Sequence, residues 1–231
     1  MRYSAIMTFP LLAALALTSP ASTQDSRPGV AVMPFENGGS YGQDAENFDA
    51  LQVGLQQILL TEMARNSNLR IVERSRLNDL IREQDLGEAG RVDANTAARL
   101  GRLVGAKFMV LGSFVDFYGD FRIDVRVVDV ETSEIINTNQ VSDRREELYQ
   151  MVVELAGNLT EDVDLPALED VEELGQQARE IPTEALTYYS RAIYFEDEGQ
   201  TERAIQMYSR AVEEFPDYSE AQERLQQLRQ S

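Results

Sequence analysis

Phe108-Met109-Val110-Leu111-Gly112-Ser113-Phe114-Val115 is an apolar run, and Asp116-Phe117-Tyr118-Gly119-Asp120 alone separates it from Phe121. Beyond that point Phe121, Ile123, Val125 and Val127 alternate with Arg122, Asp124 and Arg126. The first run reads as a buried strand, and the alternation has the period of two of a strand with one wet face. Tyr118-Gly119-Asp120 is a tight connection, so the two strands form a β-hairpin. A membrane-spanning β-strand needs roughly 9–11 residues of alternating polarity, and a membrane hairpin twice that. This connection has no room for one. Ile135 to Val141 adds a further strand after the turn Glu131-Thr132-Ser133-Glu134.

Working back from the hairpin, Val30 to Phe35 is a short apolar run bounded by Pro28-Gly29 and Glu36-Asn37-Gly38-Gly39. It reads as a buried strand followed by a long loop through Tyr41, Gly42 and Gln43. From Phe48 to Arg65, Leu51, Leu55, Ile58, Leu59 and Met63 recur at spacings of three and four, the signature of one buried helical face. Leu69 to Val72 is a second strand. Ser75 is expected to cap a helix carrying Leu77, Leu80 and Ile81, and Asp93 a third carrying Ala97, Leu100 and Val104. A helix from about Arg144 to Glu161 follows the last strand. The order β-α-β-α-α-β-β-β-α predicts an α+β domain at 28–165, α/β at its front. Its mixed sheet is parallel first and antiparallel last, with helices mainly on one face.

Met1 and Arg2, the apolar stretch Ala5 to Leu17 and the small residues Thr18 to Ser22 have the order of a secretory signal peptide over 1–21, cut after Ala21. No later segment is apolar enough to span a membrane as a helix. A lipid-anchored envelope protein needs a cysteine just after its signal, and the chain has none, so no lipid anchor and no disulfide is expected. Formal charge is −19, with Lys107 the only lysine, and acidity concentrates from Glu161 onward. Nucleic acid is an unsuitable ligand for such a surface, because phosphate binding depends on clustered cations. A periplasmic location is expected, with outer-membrane association through partners.

With no His and no Cys, Ser-His-Asp and Cys-His catalysis are unavailable and the usual zinc sites lose their best ligands. Gly101 to Lys107 has phosphate-loop residues at the wrong spacing and behind a helix instead of before one. Asp116 with Asp120, and Asp143 with Glu146, read as solvated surface in place of a cation site. The expectation is a non-enzyme with no cofactor and no metal.

The strand ending Pro34-Phe35-Glu36-Asn37, then Ile71-Val72-Glu73-Arg74, Gly105 to Ser113, and Val125 to Asp129 before Thr132 and Glu134 resemble the CsgG family of curli secretion channels and holdfast-attachment components. That resemblance implies a periplasmic envelope domain able to form homo-oligomers. The long membrane hairpins of curli channels have no counterpart at Phe117–Phe121 or beyond Val141.

After an acidic linker or helix at 166–181, Ala185 to Asp217 resembles one tetratricopeptide repeat within a helical module at 182–231. Tyr188, Ala192, Phe195, Gly199, Ala204, Tyr208, Ala211 and Pro216 stand at its characteristic positions, and Arg191 departs where Leu is usual. Small Ala residues let two helices approach closely, and a third helix from about Tyr218 to Arg229 caps them. A lone repeat cannot bury its apolar surface. It is expected to dock on the α/β domain, on the helix before Arg179, or on another chain. Leu186, Tyr189, Ile193 and Glu196 occupy positions lining the concave face of such arrays. They are candidate contacts for a protein partner or, as the alternative use of the same face, for the neighbouring domain. Together these resemblances imply a scaffold or accessory protein. The alternatives are a component of a curli-type secretion or adhesin-attachment system and a regulator of cell-wall synthesis enzymes.

Overall fold

A computed structural model describes residues 25–40, 45–83, 92–162 and 181–230. The expected signal peptide, the loop at 41–44 and most of the acidic linker lie outside them. Six strands form one mixed sheet: β1 (Gly29–Val32), β2 (Glu36–Asn37), β3 (Arg70–Ile71), β4 (Phe108–Phe117), β5 (Asp120–Asp129) and β6 (Ile135–Arg144). Their order is β3-β1-β4-β5-β6, with β2 also paired to β4. β1 is parallel to both neighbours, whereas β4-β5 and β5-β6 are antiparallel.

β1 and β2 are one strand interrupted. Met33 N–H still donates to the Val110 carbonyl at 2.9 Å, but Pro34 has no N–H to donate and Phe35 N–H turns to the Gln52 carbonyl at 3.0 Å, which breaks the pairing. The chain rejoins β4 where Glu36 faces Ser113. Phe35 meanwhile turns inward over Gly112, where an added β-carbon would come within 2.6 Å of its Cζ. A glycine in that strand is a packing requirement.

The helices close both faces. α1 (Ala45–Ala64) and α4 (Leu148–Asp162), backed by the C-terminal module, form the larger layer, and their Leu55, Leu59, Leu148 and Leu155 pack on Val30, Val110, Phe114, Ile123 and Val125. On the other face α2 (Arg74–Glu83) and α3 (Ala94–Val104) bury Leu77, Leu100 and Val104 against Ala31, Met109, Leu111 and Val128. Alternation along β4 thus feeds two cores. Asp93 caps α3 as expected, its carboxylate accepting from Thr96 N–H at 2.7 Å. That backbone hydrogen bond holds its pKa below the usual carboxylate value. Gly105, at φ 71°, ends the same helix. Ser75 is not a cap: α2 begins at Arg74, which puts Ser75 inside the first turn.

Asp116 also departs from its expected exposure. Its side chain is fully buried, paired with Arg145 and accepting from Gly119 N–H at 2.8 Å. Burial is tolerated because the turn and the guanidinium take both oxygens. A 3₁₀ turn at Arg145–Glu147 leads into α4.

The repeat consists of α5 (Thr183–Asp197) and α6 (Thr201–Glu214), followed by α7 (Ser219–Gln230). Ala185, Ala192, Ala204 and Ala211 are fully buried, as close helix packing requires. No helix among the described residues is long and apolar enough to cross a membrane.

Candidate functional site

α5 lies along α1, fixed at three places. At its start Thr183 Oγ1 donates to the Arg145 carbonyl at 3.0 Å. At its middle, Gly54 of α1 faces Ser190, whose hydroxyl is turned back to donate to the Leu186 carbonyl at 2.9 Å. At its end Asp197 pairs with Arg74, the first residue of α2. Arg74 Nε also donates to Gln57 Oε1 of α1 at 3.3 Å. Contact at Gly54 and divergence beyond it leave a wedge between α1, the β3–α2 corner and the repeat.

This wedge is a cavity of about 610 Å³. Its apolar floor includes Leu60, Ile71 and Ile193, and its walls carry Glu73, Arg74, Glu196, Asp197, Glu220, Glu223 and Arg224. Five carboxylates therefore face two guanidiniums. Both guanidiniums are engaged, Arg74 by Asp197 and Arg224 by Glu196, which Arg224 Nε reaches at 3.0 Å. Glu196 also accepts from the Tyr208 hydroxyl at 3.0 Å. Burial and the Glu196 charge raise the Tyr208 pKa, keeping the phenol neutral.

Behind the wedge sits an aromatic cluster. The Tyr189 ring lies 4.8 Å from Tyr218 and 5.8 Å from Tyr208, centroid to centroid. Tyr149 of α4 donates to the buried Glu62 of α1 at 2.8 Å, and Arg65 pairs with the same carboxylate at 2.9 Å. Desolvation is the first cause of the raised pKa of both Tyr149 and Tyr218.

Of the four residues expected on the concave face, Leu186 and Ile193 are buried, Tyr189 is 6% exposed, and Glu196 is part-buried. All four belong to the surface that α5 turns toward the rest of the chain. Tyr189, Ile193 and Glu196 line the cavity, whereas Leu186 lies in the packed core. Sequence reasoning missed the other half of the site, namely Gln57, Glu73, Arg74, Glu220, Glu223 and Arg224. Arg74 stands in the Ile71-Val72-Glu73-Arg74 motif, but its partner Asp197 is far along the chain. Glu220 and Glu223 read simply as the wet face of a capping helix. Among the described residues no group of His, Asp and Glu side chains is arranged to hold a metal ion.

A family model described as curli production assembly/transport component CsgG matches residues 12–122, and a tetratricopeptide-repeat model matches residues 183–228. The chain thus carries a CsgG-type segment, ending inside β5, followed by a tetratricopeptide repeat. Among solved structures, TolB from Acinetobacter baumannii is similar at 14% identity and a TM-score of 0.41, over 60% of this chain and 29% of that one. LpoB from E. coli is similar at 16% identity and a TM-score of 0.39, over 61% of this chain and 82% of that one. Lipoprotein GNA1162 from Neisseria meningitidis is similar at 12% identity and a TM-score of 0.40, over 58% and 97%. The chain spans less than a third of the TolB structure. No curated protein matches it.

Proposed function

We propose that this protein is a periplasmic, non-enzymatic scaffold of the bacterial envelope, in which the CsgG-type domain supports assembly and the tetratricopeptide repeat recruits a protein partner. The observation that carries this reading is the close seating of the repeat on α1, with a wedge-shaped cavity lined by residues of both units. A module fixed at Thr183, Ser190 and Asp197 presents its remaining surface in one orientation, and preorganisation lowers the ordering cost of binding. The short β4–β5 turn supports a role outside the bilayer, since two residues join strands where a membrane hairpin would need about 20.

Crosslinking in intact cells, followed by mass spectrometry of the chains captured, tests the reading. Envelope proteins joined reproducibly to residues of the repeat are the expected result. Capture of nothing beyond background, together with partition of the protein into membranes as an ion-conducting pore, would overturn it.

A further inference from the structure

We infer that the wedge between α1, the β3–α2 corner and the repeat binds a basic, extended segment of a partner protein, seating an arginine or lysine side chain against Tyr189, Glu220 and Glu223. The inference rests on the scaffold reading and names the chemistry of the partner.

Charge fixes the sign of the ligand. Arg74 and Arg224 are neutralised by Asp197 and Glu196, so neither guanidinium offers its charge to an incoming group. Glu73 and Glu223 have no ion-pair partner among the described residues, and Glu220 accepts only from the Ser219 hydroxyl beside it. The cavity therefore carries three carboxylates outside any ion pair among the described residues, and the Arg65 charge offsets part of one of them, Glu220. Oriented carboxylates around a partly enclosed space attract cations more strongly than the same charges scattered on a surface.

A second observation is independent of the carboxylates. Tyr189 is 6% exposed and lines the cavity, yet its hydroxyl makes no hydrogen bond to any described residue. The ring is packed away, and the unpartnered hydroxyl is the part of the side chain open to the cavity, where an incoming donor can reach it. Burial, and after it the Glu220 charge, raise the Tyr189 pKa and keep the phenol neutral. A guanidinium or ammonium entering from the rim would donate to this oxygen and to the Glu220 carboxylate together.

The floor explains why the cation belongs to a side chain. Leu60, Ile71 and Ile193 lie beneath the charged rim. Lysine and arginine bury an aliphatic stem while the charged head stays with polar partners. A cavity of about 610 Å³ admits a side chain of that kind with its flanking backbone, within the roughly 300–1,000 Å³ of ordinary ligand sites.

The test titrates the full-length chain into a fluorescein-labelled octapeptide alternating Arg and Ser, read by anisotropy, with an alternating Glu-Ser peptide as counterpart. The Arg peptide is expected to bind and the Glu peptide not to. Glu220→Gln with Glu223→Gln should weaken binding by about tenfold, and Tyr189→Phe by about threefold. A charge-matched double change on the remote β5–β6 turn, Glu131→Gln with Glu134→Gln, should weaken it less than about twofold. Equal losses for the two doubles would mean a non-specific attraction to an acidic protein and overturn the inference. So would full affinity in both the Glu220/Glu223 double and Tyr189→Phe. If crosslinking captures envelope partners while the Arg peptide fails to bind, the basic-segment assignment falls and the scaffold reading stands. If capture fails as well, both fall.

Discussion

A β-carbon placed on Gly54 of α1 would fall inside the side chain of Ser190 on α5, 3.1 Å from the Ser190 Cα. The two helices cross at backbone contact there, which is possible only because one partner has no side chain and the other a small one. The cavity opens beside this contact, between α1, the β3–α2 corner and the repeat.

Gly54→Ala should therefore lower stability even though alanine gains about 1 kcal/mol of intrinsic helix propensity over glycine. Overpacking at a tight contact costs about 1–3 kcal/mol, and Ser190 cannot retreat without moving the α5 backbone. Urea unfolding measures the outcome. A midpoint above that of the parent would mean that the crossing tolerates a methyl group.

Much of the α/β domain was legible because its signals are local. Asp93 reads as a cap from three residues of sequence, and the β4–β5 hairpin reads from one alternation and one turn. The small residues of the repeat likewise announce a helical pair. The docking geometry was not legible, since Gly54 in an amphipathic helix resembles any small residue until Ser190 is opposite it. Arg74 and Asp197 are separated by 123 positions, and nothing at either position names the other. Asp116 misled for a related reason. A carboxylate beside a hairpin turn in an acidic chain looks solvated, and only Arg145 arriving from beyond β6 makes its burial tolerable.

Asp116→Ala should be among the most damaging single changes in the domain. It removes the buried carboxylate that pairs with Arg145 and frees Gly119 N–H, which that carboxylate holds at 2.8 Å. Removing one member of a buried ion pair costs about 3–5 kcal/mol. Thermal unfolding is the measurement, and a loss below about 1 kcal/mol would place the pair with ordinary surface ion pairs.

Tyr218→Phe should leave stability unchanged or raise it by up to about 1 kcal/mol. The Tyr218 hydroxyl is buried without a hydrogen-bond partner among the described residues, and such a group carries its desolvation cost uncompensated. The ring keeps its contact with Tyr189 in the variant. Tyr218→Ala, by contrast, should cost about 3–5 kcal/mol through the cavity it leaves. A destabilised Phe variant would indicate that the hydroxyl is bonded in solution.

Alkaline pH should open the interface between α4, α1 and the repeat. Burial raises the pKa of Tyr149, Tyr189, Tyr208 and Tyr218 in the folded protein, with Glu62, Glu220 and Glu196 adding to the shift at the first three. A raised folded-state pKa means that the neutral phenols contribute stability in full below the unfolded value near 10. That contribution is lost as pH climbs from there through the folded values. Phenolate absorbance from these four should therefore grow together with loss of the far-UV helical signal. Ionisation of all four while helicity is intact would show that solvent reaches the cluster freely.

The Arg74–Asp197 pair should couple the two units energetically, and a double-mutant cycle isolates that coupling. The side chains are 14% and 27% exposed, intermediate between a surface pair and a buried one. Arg74 also donates to Gln57, so Arg74→Ala removes two contacts while Asp197→Ala removes one. Arg74→Ala should accordingly cost more than Asp197→Ala, and the charged hydrogen bond itself is worth about 1.5–3 kcal/mol before solvent screening reduces it. The cycle cancels the Gln57 contribution, because that bond is absent in both chains lacking Arg74. A coupling energy of about 1 kcal/mol is the expected result. A coupling indistinguishable from zero would mean that Gly54, Ser190 and the apolar contacts alone seat the repeat, and the cavity would then keep its shape without this pair.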